Sequence, residues 1–170
     1  MKQSEPTRWN SSLTMFKSIA AVWNEISAIM VERNEVDYLS GITANKLSDV
    51  IQFREPFKDA SNELEKDTSP SIQRVVFILH NLTKHVEYNI DDDVIITNMK
   101  KVGRSALKTK WERRLQPIHY AAVIIHPKAK NSPVITEENK NAGITFIRSM
   151  MEKIGPDQVS QKGTQESILE

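Results

Sequence analysis

Between Leu13 and Met30 the apolar residues are Leu13, Phe16, Ile19, Ala20, Trp23, Ile26, Ile29 and Met30, and their gaps of three and four constrain this segment to a helix. A 3.6-residue period puts them on one face, whereas a strand would need strict alternation. Ser11 and Ser12 stand where an N-cap is expected, and Gly41 interrupts the pattern after Asn34. The spacing returns in Leu47, Val50, Ile51, Phe57, Ala60 and Leu64, with Pro56 predicting a kink or a break inside that second helix. A third stripe follows Ser69-Pro70 through Ile72, Val75, Val76, Leu79, Leu82 and Val86; proline in a first turn has no helical N–H to lose.

Asp91, Asp92 and Asp93 precede a fourth segment that runs through Met99, Val102, Ala106, Leu107, Trp111 and Leu115; acidic groups suit the positive end of a helix dipole. Pro117 begins a short apolar stretch ending near His126-Pro127. Thr136-Glu137-Glu138 then opens a last helix through Phe146, Ile147, Met150, Met151 and Ile154, closed by Gly155-Pro156. The expectation is a mainly α-helical domain of about six helices over residues 1–156, with a disordered polar tail over 157–170. The runs 75–79, 94–97 and 121–125 are short enough to serve as buried strands instead, and periodicity alone does not separate the two.

A net charge of +1 gives the chain no global field toward nucleic acid or membrane, so any charged partner must meet a local patch. With no cysteine there are no disulfides, thiolate metal sites or cysteine nucleophiles. No apolar run reaches the roughly 18 residues of a membrane helix, and Met1 to Pro6 lacks the apolar stretch of a secretory signal. None of the five glycines builds a phosphate-cradling loop. His80 and His85 are five apart, the wrong spacing for two imidazoles on one helix face; His119 and His126 flank an apolar helix. Asp91 to Asp93 lack the alternation, glycine and terminal glutamate of a calcium loop, and a helix-start or turn role is expected. No cofactor and no small-molecule substrate is expected.

Three segments together carry a resemblance. Pro6-Thr7-Arg8-Trp9-Asn10-Ser11-Ser12 is followed by a long helix. Glu55-Pro56-Phe57-Lys58-Asp59-Ala60-Ser61-Asn62-Glu63-Leu64 comes next, and Ile118-His119-Tyr120-Ala121-Ala122-Val123-Ile124-Ile125-His126-Pro127-Lys128-Ala129-Lys130 last. In order and spacing they resemble the threonine-arginine-tryptophan-asparagine-serine signature, the EPF helix and the HxxAxxLDPRxK stretch of hAT-superfamily transposases and their BED-finger-associated relatives. His126 departs from the family's aspartate before proline, and Ala129 from an aromatic. The resemblance implies the helical insertion region of an RNase H-like, metal-dependent transposase. It places the first two catalytic aspartates upstream of Thr7-Arg8-Trp9 and the final glutamate beyond the insertion. Two-metal phosphoryl transfer needs ligands that hold ions about 4 Å apart. No such set maps onto these residues, so the chain is expected not to be an enzyme.

For Arg8 and Trp9 the resemblance implies stacking of the indole on a flipped base. Packing of Trp9 on the first helix as a hydrophobic staple is the favoured alternative, because a site needs its partners. The stretch Lys100 to Arg114 holds seven basic residues and one acidic. On an α-helix Lys100, Arg104, Lys108 and Trp111 fall on adjacent turns, where they can meet successive phosphates; an ordinary solvated face explains the charge equally well. The expected nucleic-acid-binding residues are therefore Arg8, Trp9, Lys100, Lys101, Arg104, Lys108, Lys110 and Arg113. The expected function is a non-catalytic, nuclear, transposase-derived protein that binds DNA. Its rival is a helical self-association or protein-interaction module without a nucleic-acid role.

Overall fold

The computed structural model describes residues 9–65 and 72–154, apart from the side chains of Trp9 and Asn10. It is mainly α, with seven α-helices and no strand among the described residues. They are α1 (Trp9–Ala21), α2 (Trp23–Glu32), α3 (Ala44–Leu64), α4 (Ile72–His85), α5 (Val94–Ala106), α6 (Pro117–Ile125) and α7 (Glu137–Ile154). All three runs that were open to a strand reading are helical. The expected starts at Ser69-Pro70, the stop at Gly155-Pro156 and the polar tail lie outside the described residues.

The first predicted helix is two. At Val22 the dihedrals leave the helical well (φ −121°, ψ 25°), and the Val22 N–H donates to the Ile19 carbonyl at 3.2 Å, three residues back instead of four. Ser11 and Ser12 lie inside α1 and do not cap it, because the helix already begins at Trp9. Helix α2 ends in a Schellman motif. Asn34 takes the left-handed position (φ 57°), its N–H reaches the Val31 carbonyl at 3.0 Å, and Glu35 N–H reaches that of Met30 at 2.8 Å. After a short 3-10 turn (Val36–Leu39) and Gly41 (φ 77°), Thr43 caps α3 by accepting from the Lys46 N–H at 3.2 Å. Pro56 does not break α3, which runs on as one element to Leu64.

The chain divides into two units, Met1–Lys66 with Leu82–Ser105 and Asp67–Asn81 with Ala106–Glu170. In the first, α1 packs on α3 and Leu13 is fully buried. The Arg54 guanidinium donates to Ser12 Oγ at 3.0 Å and lies 5.6 Å from the centre of the Phe16 ring; partial burial lowers its pKa. Leu47, Phe53, Val86 and Ile96 complete this core. Beside them Phe53, Phe57 and His85 form an aromatic cluster with ring centres 5.4–6.0 Å apart. Gly103 on α5 faces Val86 and both phenylalanines, so α5 comes in close.

In the second unit Val76, Val123 and Ala129 are buried together, flanked by Phe77, Leu115, Tyr120, Val134 and Ile135. Helices α6 and α7 make its most extensive pairing, and at Gly143 α7 comes close to the α6 backbone. Gln116 and His119 form a capping box at the start of α6, with the Gln116 N–H donating to His119 Nδ1 at 3.0 Å. Thr136 does the same service for α7, accepting from the Asn139 N–H at 3.3 Å.

Candidate nucleic-acid interface

The basic segment starts on α5, whose N-cap is Asp93: the Thr97 N–H donates to its carbonyl at 2.8 Å. Asp92 accepts the Asn89 N–H at 3.0 Å and receives Lys100 Nζ at 2.6 and 2.8 Å. The two side chains are 13% and 11% exposed, and the Lys100 hydrogen bond holds the Asp92 carboxyl below the usual carboxylate range. The aspartate triplet thus starts a helix, as its composition suggested. Arg104 donates from Nη2 to the Val86 carbonyl at 2.9 Å. Both cations on the expected stripe already have partners that a phosphate would have to displace. Lys101, between them, is exposed.

At Leu107 the hydrogen bonding widens into a π-helical turn, Leu107–Trp111, followed by a 3-10 turn, Glu112–Arg114. A stripe at every fourth residue requires 100° per residue, and that register ends at Ala106. Buried Leu107 anchors the turn, while Lys108, Lys110, Trp111, Arg113 and Arg114 are all exposed. None of these four cations forms an ion pair with another described residue. Glu112 is the single acid among them. Its field contributes to raising the pKa of Tyr120, after burial and ahead of Glu138.

Lys108, Lys110 and Arg113 therefore lie on two consecutive turns of the second unit, whereas Lys100, Lys101 and Arg104 belong to the first. Arg8 lies outside the described residues, and of Trp9 only its place as the first residue of α1 is described. Arg114 was not singled out from the sequence, though it continues the same run; the change of helix type that exposes it leaves no mark in the residue pattern.

The larger signal is how the folding units divide the charge. Within the described residues, the first unit carries nine Lys and Arg against thirteen Asp and Glu, a net −4. The second carries ten against four, a net +6. Over their full ranges the two units carry −2 and +3, which sum to the chain's +1.

Among the described residues no three His, Asp or Glu side chains are grouped to hold a metal ion. His85 Nε2 lies 2.9 Å from the Phe53 carbonyl, a structural contact. At His126 the turn after α6 is made by the backbone, its carbonyl accepting from the Ala129 and Lys130 N–H groups at 3.0 and 3.1 Å. Its buried Nδ1 has no hydrogen-bond partner among the described residues, so the side chain does not cap the turn.

No family model matches the chain. Over 129 residues, 76% of its length, it is 28% identical to the Hobo transposase of Drosophila melanogaster, a hAT-family protein. The chain is hAT transposase-like. It is also 23% identical over 131 residues to zinc finger protein 618 of mouse and of human. A chain without cysteine shares no Cys-ligated zinc module with them. The hAT-like chain spans only 20% of the Hobo transposase and 14% of zinc finger protein 618. Among the described residues none of its helices is long and apolar enough to cross a membrane.

Proposed function

We propose that this hAT-like chain is a non-catalytic, transposase-derived DNA-binding module that acts in the nucleus. The observation that carries the reading is the net +6 of the second unit's described residues, with Lys108, Lys110, Arg113 and Arg114 exposed on consecutive turns. Cations held by a protein partner gain little from a phosphate, whereas solvated ones release the counterions that drive association with DNA. The contacts therefore come from these four side chains, while Lys100 and Arg104 hold the first unit together. Support for a transposase origin is the similarity to the Hobo transposase; Arg8 and Trp9, which resemble the family signature, are proposed as separate DNA contacts.

The test is fluorescence anisotropy of the full chain on duplex DNA across a salt series. The logarithm of affinity should fall linearly with the logarithm of salt, with a slope of about 0.9 per phosphate contact. Changing Lys108, Lys110, Arg113 and Arg114 to alanine should remove most of that slope, and Lys100→Ala should leave it unchanged. No binding at low salt by a helical sample overturns the reading. Strand cleavage with magnesium overturns its non-catalytic part.

A second reading rests on α2, which has no buried residue. Ile29, Val31, Val36, Tyr38 and Ile42, on α2 and the turn after it, are 47–76% exposed. Phe16, Trp23 and Val75, whose exposure would have favoured this reading, are half-buried instead. Self-association through that surface predicts a sedimentation coefficient that rises with protein concentration and stays flat for Ile29→Glu/Val31→Glu.

A further inference from the structure

Trp111 closes the π-helical turn and is 44% exposed, with Lys108, Lys110, Arg113 and Arg114 exposed on either side of it in sequence. Its ring makes no aromatic or cation–π contact with another described residue. Tryptophan is large and apolar and is generally well covered in folded domains. Indole faces left to water within a cationic run combine the two features of single-strand binding surfaces, a stacking platform and charges that follow the backbone. A paired duplex offers phosphates to such a turn but keeps its base faces stacked on one another. A single strand offers both.

We propose that the Leu107–Arg114 turn is a binding site for single-stranded DNA, with Trp111 stacking on an unpaired base and Lys108, Lys110, Arg113 and Arg114 meeting the flanking phosphates. This rests on the DNA-binding reading above and adds the form of the nucleic acid. Across Leu107–Trp111 the hydrogen bonding is π-helical, so Trp111 does not follow the every-fourth-residue stripe of Lys100, Arg104 and Lys108. Single-turn π segments are frequent at functional sites. Trp111 is independent of Trp9, the tryptophan of the family signature.

The experiment compares the full chain and two variants, Trp111→Ala and Trp111→Phe, on labelled oligonucleotides of one length. These are a single strand, its duplex, and a single strand with abasic sites, which keeps the phosphates but has no bases to stack. Circular dichroism confirms that each variant keeps its helicity. The single strand should bind more tightly than the duplex. Trp111→Ala should weaken single-strand binding about five- to 150-fold, the range measured for one lost base stack, while changing duplex binding less than about twofold. Trp111→Phe, which keeps a ring, should recover most of the loss, and the abasic strand should bind wild type as weakly as the intact strand binds Trp111→Ala. Equal binding of all three oligonucleotides, or an equal effect of Trp111→Ala on each, overturns the single-strand site and leaves the DNA-binding reading standing. Absence of binding to any of them overturns both.

Discussion

Replacing Gly143 with alanine would put a methyl carbon 2.6 Å from Ile124 Cδ1, 3.0 Å from the Ala121 nitrogen and 3.1 Å from the Tyr120 carbonyl carbon. The isoleucine end can rotate away. The two backbone atoms cannot, because they belong to α6, whose Val123 is fully buried in the core of the second unit. The methyl group therefore has to push α7 off α6. Overpacking of this kind costs about 1–3 kcal/mol. An alanine inside a helix recovers up to about 1 kcal/mol of that through helix propensity. The net expectation is a loss of about 1–2 kcal/mol. With a urea dependence of about 1–3 kcal/mol/M, the unfolding midpoint followed by circular dichroism should fall by roughly 0.3–2 M. Gly103→Ala is the internal control. Its new methyl would meet the Val86 Cγ1 side-chain carbon at 3.1 Å and two phenylalanine ring edges at 3.7 and 3.8 Å, with no backbone atom among them. Propensity should offset most of that contact, keeping the midpoint close to wild type. A Gly143→Ala protein as stable as wild type, or a Gly103→Ala protein that is the more damaged of the two, would refute the close-approach argument.

The Lys100–Asp92 pair predicts a pH signature. Asp92 has a folded pKa below its ordinary value, so its contribution is complete above the unfolded carboxylate pKa of about 3.9 and is lost as pH falls from there through the lowered folded value. Lys100→Met removes the main cause of that lowering, so the variant should lose less stability than wild type across that acid window in thermal melts, starting from a lower value at neutral pH. Asn34 holds the left-handed position of the Schellman motif, so Asn34→Gly should stay within a few tenths of a kcal/mol, whereas a β-branched Asn34→Val should cost about 1–2 kcal/mol in the same denaturation assay.

How much could be read in advance follows from the range over which each feature is determined. Helix existence is local. The gaps of three and four around Val76 and Leu79, or along α7, carry it without knowledge of any other segment, and the structure bears out the mainly α architecture. The capping role of Thr136 and the place of Asp93 at the start of α5 are equally local, because a helix start is set within four residues. The hAT-like character was legible too, since it rests on residues in order along the chain. What local pattern misjudged were places where the backbone changes form without a proline or glycine to announce it, at Val22 and at Leu107. At Pro56, where a kink or a break was expected, no break occurs, and α3 runs on to Leu64.

The candidate interface depended on more distant relations. By itself the sequence determined the number of charges, their near-cancellation and the basic run from Lys100 to Arg114. Only the tertiary structure decided which of those cations are already engaged, because Asp92 lies eight residues from Lys100 and Val86 eighteen from Arg104, beyond any helical neighbour rule. It also decided which segments share a unit. Residues 72–81 join 106–154 across a gap in the chain, and that grouping separates a net −4 from a net +6 where the described residues together sum to +2. Secondary structure follows from dihedral preferences a few residues wide. Charge segregation and side-chain engagement follow from which segments pack together, which no single window of sequence contains.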